Sequence, residues 1–249
     1  FIKVDTTVDW HEKQSMLKLK FPINLNYCRG SYEIPYGFVE REPDGDEYPM
    51  QSWIDFEGST PGNANIIGLS ILNDGKYSYD TDNKVVGLTV LRSPIYANHE
   101  PFVPDENLDY AYMDQGIQKF TYALYPHNGS FENAETVRHA LEINQRAVAL
   151  FETYHDGKLG QTGSFISISA SHVGVGSMKQ AEDGSGDIIL RMYETSGMNT
   201  DAIIELPMLG RKISAQFAPS EIKTLRIPKD NSLDVYETSM LETRENGDK

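Results

Sequence analysis

Enzymes that hydrolyse stable bonds use few side-chain arrangements: ligands spaced to hold zinc with one position open, two carboxylates at a set separation, or a nucleophile beside a base. The six histidines of this chain, His11, His99, His127, His139, His155 and His172, form neither His-Glu-x-x-His nor His-x-His. Each therefore reads as a surface or packing residue. Asp80-Thr81-Asp82 and Asp44-Gly45-Asp46 have the spaced acids of a calcium loop without its distal Glu, so they read as solvated turns and no metal site is expected. The 37 acidic residues supply many carboxylate pairs and no rule for choosing one. There is no G-x-S-x-G, no P-loop and no G-x-G-x-x-G, and Gly174-Val175-Gly176 is too short to count. Cys28, the single cysteine, reads as a small buried hydrophobe to which no chemistry is assigned.

Whatever polar groups matter must be positioned by β-structure. Runs of β-branched and aromatic residues broken by Gly, Pro, Asn and Asp recur at 16–24, 32–39, 66–72, 85–92, 117–125, 164–170, 187–194, 202–206, 213–217 and 222–227. So many short strands predict an all-β chain of packed antiparallel sheets. Gly184 and Gly186 in Asp-Gly-Ser-Gly-Asp offer the positive φ of a hairpin turn, and Asn73-Asp74-Gly75 and Asp156-Gly157 read the same way. One helix is predicted near 132–148, with Val137, Leu141 and Val148 on one face and Ser130 as a capping residue upstream. The glycine-rich stretch 155–163 marks a domain boundary, residues 40–62 and 96–115 read as long irregular loops, and the charged tail 242–249 reads as frayed. No internal repeat is present.

A formal charge of −15 repels phosphate backbones and anionic lipid, which argues against nucleic-acid and membrane-surface partners and leaves a neutral ligand such as a sugar unaffected. No run approaches the ~20 apolar residues of a membrane span, and no signal sequence is visible. One cysteine allows no internal disulfide, which favours a reducing, cytoplasmic location; the sequon Asn128-Gly129-Ser130 is accordingly read as unused. Starting at Phe1 inside a strand-like run, the chain reads as a fragment or a processed product.

Seven words of the sequence carry a resemblance. Val8-Asp9-Trp10-His11-Glu12-Lys13 running into LKLKFPIN is similar to an opening strand pair written DWHEKHKLLK-x-x-FP. YEIPYGFVER at 32–41 resembles YEIPFG-x-x-ER, and ILNDGKYSYD at 71–80 resembles an LLND-x-KYG loop. LTVLRSP at 88–94, FTYALYPHNGSF at 120–131, AEDGSGDIILRMYE at 181–194 and EIKTLRI at 221–227 continue in the same order. The family is glycoside hydrolase family 38, the α-mannosidases, in its bacterial and cytosolic branch. This chain departs from the loop word at Gly75, where a small thiol or hydroxyl residue is usual, and at Ser78, where Gly is usual.

The resemblance implies a large galactose-mutarotase-like β super-sandwich over 1–160 and a smaller β-sandwich domain over 161–249. Both would follow an N-terminal β/α domain carrying zinc and an Asp nucleophile, and a helical bundle. The family's zinc-ligand and nucleophile motifs have no counterpart here, so this segment alone is expected to be inactive and without a cofactor. Its expected partners are the catalytic domain of the same chain and, for the parent enzyme, mannose-containing glycans. Within that picture Asn73, Asp74, Lys76 and Tyr77 sit on a loop after a strand, where they can be aimed at a sugar hydroxyl or a neighbouring domain, and Arg92, at the end of a strand, could bridge to them or reach a ligand. The plainer reading is that Asn-Asp-Gly builds the turn while Lys76 and Tyr77 cover the core. His127, Trp10 and Trp53 read as structural. Two other hypotheses are an independent carbohydrate-binding module and a mutarotase-like epimerase using His127.

Overall fold

The computed structural model describes residues 1–249 except 63, 97–102, 104, 106, 159 and 244–249. His99, part of the 96–115 loop and most of the tail after 242 thus lie outside the described residues. The chain groups into two compact units: Phe1–Ile34 with Val39–Arg146, and Pro35–Phe38 with Ala147–Lys249.

The first unit contains β1 (Ile2–Trp10), β2 (Met16–Pro22), β3 (Asn26–Ile34), the second half of β4 (Gly37–Glu40), β5 (Asp44–Pro49), β6 (Trp53–Ser59), β7 (Ile66–Asn73), β8 (Ser78–Asp82), β9 (Val85–Arg92) and β10 (Gly116–Asn128), followed by helix α1 (Thr136–Asn144). A six-stranded sheet runs β1-β10-β7-β6-β3-β4, and a four-stranded sheet runs β2-β9-β8-β5. Period-two alternation explains how they pack. Ile54 and Phe56 of β6, Ile71 of β7 and Phe120 of β10 meet Leu19 and Phe21 of β2, Tyr79 of β8, and Val86 and Leu88 of β9 in one core. The other face of the six-stranded sheet receives α1 over β6 and β7, so these strands are covered on both sides.

The second unit contains β11 (Ser167–Ile168), β12 (Val173–Gln180), β13 (Ile188–Glu194), β14 (Thr200–Leu206), β15 (Arg211–Phe217), β16 (Ile222–Ile227) and β17 (Tyr236–Thr238). Sheets β11-β14-β15 and β12-β13-β16-β17 enclose Leu190, Met192, Leu225 and Ile227 against Ala202, Ile204, Leu206 and Phe217. Gly184 and Gly186 take φ of 76° and 81° between β12 and β13. Among the described residues no helix is long and apolar enough to cross a membrane.

The all-β expectation holds, with local corrections. Residues 32–39 do not form one strand, because Pro35 and a left-handed Tyr36 (φ 59°) fold them into the β3–β4 turn. Residues 40–62 are not a loop: they contain β5 and β6, and β6 is buried along nearly its whole length. Its acids, Asp55 and Glu57, obscured the alternation, since buried carboxylates are tolerated only where partners neutralise them. The helix spans Thr136–Asn144, shorter than 132–148, and buries Thr136, Ala140 and Ile143 in place of Val137, Leu141 and Val148. Ser130 precedes a separate 3₁₀ turn, Phe131–Asn133, and makes no side-chain cap bond. Asp156-Gly157 joins no strands, and of 164–170 only Ser167–Ile168 are paired. Asp80 is no solvated turn residue, being a buried member of β8.

Candidate functional site

The connection from β7 to β8 is built around Asn73. Its fully buried side chain donates from Nδ2 to the Gln51 carbonyl (2.9 Å) and accepts at Oδ1 from the backbone N–H groups of Gly75 (3.0 Å) and Lys76 (2.7 Å). This is an Asx turn closed by the side chain itself. Asp74 then fastens the loop to β10: Thr121 N–H donates to Asp74 Oδ1 (2.8 Å), and Asp74 N–H donates to the Thr121 carbonyl (3.1 Å). Asn144, the last residue of α1, donates to the Asn73 carbonyl (2.9 Å). The loop is thereby held from β6's approach, from β10 and from α1.

Lys76 lies half-buried with Nζ 4.9 Å from the centre of the Phe120 ring. Burial lowers its pKa, with Asp114 and Asp74 pulling the other way. Tyr77 is 58% exposed and, with Met50, Gln51, Ser52 and Asn144, lines an open cleft of about 410 Å³. An aromatic face beside amide and hydroxyl groups is the chemistry that receives a sugar ring or a neighbouring polar surface. Arg92 is exposed at the end of β9; its backbone N–H donates to Asp114 Oδ2 (3.0 Å), and among the described residues its guanidinium has no ion pair. The structure therefore joins Asn73, Asp74, Lys76 and Tyr77 to Asn144 and Gln51, and relates Arg92 to them only through Asp114.

A second cluster surrounds His127, whose partners the sequence does not name. On the helix-covered face of the six-stranded sheet, His127 Nε2 lies 2.8 Å from Asp55 Oδ2, which also accepts from Ser70 Oγ (2.6 Å). Ser70 Oγ in turn meets Thr136 Oγ1 of α1 (2.7 Å). Beside it Glu57 accepts from Phe131 N–H (2.7 Å) and Arg29 (3.2 Å), and Arg29 also reaches Glu132 (2.9 Å) and Glu40 (2.7 Å). Burial opposes protonation of His127, but its hydrogen bond to Asp55 and the charges of Asp55 and Glu57 outweigh that, so the imidazole titrates above its ordinary value. Burial pushes the Glu57 carboxyl up.

The cluster's side chains are enclosed, at 4% exposure for His127 and 1% for Asp55. Through Ser70 and Thr136 the arrangement fastens α1 to the sheet. The available signal was Gly68 in the apolar run IIGLSIL, since a glycine inside a strand marks a close approach. A Cβ at Gly68 would lie 2.1 Å from the His127 ring.

Trp53 is buried 5.2 Å from the Phe131 ring, and Trp10 packs half-buried on the core, so neither is free to stack on a sugar. Burial pushes the Cys28 thiol up to about 11, the opposite of an activated nucleophile. Among the described residues no group of three or more His, Cys, Asp or Glu side chains is placed to hold a metal ion.

Comparison with known proteins adds an independent line. Residues 1–106 match the model of the glycosyl hydrolases family 38 C-terminal domain, and residues 172–248 match that of the family 38 C-terminal beta sandwich domain. Alpha-mannosidase 2C1 of Homo sapiens is 30% identical over 218 residues, covering 84% of this chain and 19% of that protein. Alpha-mannosidase G of Dictyostelium discoideum is 30% identical over 210 residues, covering 79% of this chain and 17% of that protein. The crystal structure of a glycosyl hydrolase family 38 protein from Enterococcus faecalis superposes with a TM-score of 0.74 at 18% identity, covering 90% of this chain and 28% of that one. An alpha-mannosidase from Enterococcus faecalis V583 gives 0.72, also at 18% identity. At such identity the structural likeness concerns the fold. The chain spans about a fifth of the length of the curated relatives it matches.

Proposed function

Because the chain belongs to glycosyl hydrolase family 38 as its C-terminal region, we propose that it is the non-catalytic C-terminal segment of a cytoplasmic α-mannosidase whose zinc and Asp nucleophile reside in a preceding domain. The observation that carries the reading is the succession of two family models, over 1–106 and 172–248, in a chain about a fifth as long as its α-mannosidase relatives. The division into a large sandwich over 1–160 and a small one over 161–249 belongs to the same proposal. The zinc would supply Lewis-acid chemistry in the preceding domain. This segment would pack against that domain and present the Asn73–Tyr77 loop to it and to the mannoside.

Support for the loop's role comes from its rigidity. The Asn73 side chain is pinned by three hydrogen bonds and Asp74 is tied to Thr121 by two, so the exposed Tyr77 and the half-buried Lys76 ammonium are offered from a braced loop beside the cleft. Such preorganisation limits the entropy lost when a partner docks. Turnover of an aryl α-mannoside, measured on the parent protein and on residues 1–249 alone, tests the reading. The parent should lose turnover on zinc chelation and the segment should show none; zinc-dependent turnover by the segment overturns the proposal. In the parent, Tyr77→Ala should raise KM with little change in kcat, as expected for a contact made equally in ground and transition states.

A second reading, an independent carbohydrate-binding module, draws on the exposure of Tyr77 beside Gln51, Ser52 and Asn144. Calorimetry of the segment with mannose and short mannosides separates the two, since the first reading predicts no heat.

A further inference from the structure

Between α1 and β11 the chain does something unusual for a connector. Among the described residues of 147–165 there is neither strand nor helix, and no backbone–backbone hydrogen bond ties them down. Yet Leu150, Phe151 and Tyr154 are 88%, 105% and 98% exposed, with Val148 and Phe165 also open to solvent. Connectors that remain in water are rich in Gly, Ser, Pro and charge. Residues 147–154, AVALFETY, have one charge and four apolar or aromatic side chains larger than alanine. Apolar groups presented this densely on an unpaired extended backbone mark a segment that is covered in its working state.

The rest of the polypeptide is the occupant the observations favour. Both matching models are C-terminal domains, and the chain covers only 17–19% of its curated relatives, so most of the parent lies on the N-terminal side. A surface on the same polypeptide meets the arm at an effective concentration that a second copy reaches only in concentrated solution. Resting on the reading that this is the C-terminal region of a longer α-mannosidase, we propose that residues 147–154 dock as an extended arm in an apolar groove of the domains preceding Phe1, anchored by Leu150, Phe151 and Tyr154.

Photocrosslinking in the full-length parent tests this directly. Phe151→p-benzoylphenylalanine keeps an aromatic ring at the anchor, and peptide mapping after irradiation identifies what it touches. The expected main product is a crosslink within one polypeptide to residues that precede Phe1. Crosslinks to a second copy, crosslinks only within 1–249, or no protein product would each overturn the arm. Tyr154→p-benzoylphenylalanine provides the same readout if the first variant is poorly produced. Aryl α-mannoside turnover on the same preparation separates the two readings: an inactive parent with the crosslink refutes the α-mannosidase reading alone, and an active parent without it refutes the arm alone.

Discussion

Glu194 shows how one buried carboxylate can organise a domain. With no exposed surface, it accepts hydrogen bonds from the backbone N–H groups of Ser196 (2.8 Å), Gly197 (2.7 Å), Met198 (3.2 Å) and Ser220 (2.9 Å), and from the Ser196 hydroxyl. Burial pushes its pKa up, but these donors prevail and hold it below the ordinary carboxylate value. Glu194→Gln turns one acceptor oxygen into a donor facing buried donors, and should cost about 3 kcal/mol, read as a lower urea midpoint for the second unit. Since the folded pKa lies below the unfolded one, this stabilisation is complete above the unfolded value near 4.5 and disappears as pH falls through the folded value. His127 has the opposite sign. Its folded pKa is raised, so its contribution is complete below about 6.5 and fades as pH rises through the folded value. Melting temperatures measured from pH 5.5 to 8.5 should therefore decline more steeply in the native chain than in His127→Gln; parallel slopes would refute the ion pair with Asp55.

At the scale of elements, two glycines let polar side chains reach partners two strands away. His127 on β10 lies opposite Gly68 on β7 and passes over it to Asp55 on β6. On the other sheet Asp80 of β8 lies opposite Gly87 of β9 and passes over it to Lys18 (2.6 Å) and Lys20 (3.2 Å) on β2. A methyl at Gly68 would enter the imidazole, so Gly68→Ala should destabilise by about 1–3 kcal/mol, although removing a strand glycine ordinarily helps. Gly37→Ala, with nothing within 4 Å of the added carbon, is the control and should stay within about 0.5 kcal/mol. These crossings also show why β6 was illegible. Periodicity finds strands with one apolar face, whereas β6 carries Ile54 and Phe56 on one face and Asp55 and Glu57 on the other. Its acids are neutralised by His127 and Arg29, which lie on other strands, and no local pattern announces such partners. Val85–Arg92 and Ile222–Ile227, dominated by β-branched and aliphatic residues, were readable to their ends.

For the molecule as a whole, sheet class and family order were legible because each rests on many residues, whereas the geometry around Asn73 depends on contacts from Gln51, Thr121 and Asn144, far apart in sequence. The end of α1 was equally hidden: only packing on β6 and β7 selects the face bearing Ala140 and Ile143 over the one bearing Leu141. What the whole chain makes plain is that each unit owns a core, one around Ile54, Ile71 and Leu88, the other around Leu190, Ile204 and Leu225. Proteolysis of native chains requires an extended backbone outside the hydrogen-bonded sheets and helices, and residues 147–158, without backbone–backbone hydrogen bonds, meet that requirement while offering Phe151 and Tyr154 to chymotrypsin. Brief digestion of residues 1–249 should therefore cut first at Phe151 or Tyr154 and leave two resistant pieces, one per core, identified by mass. First cuts inside β6 or β13 would refute the independence of the cores. In the full-length parent the same cuts should slow sharply, because the arm is then covered and must detach before the protease can bind it.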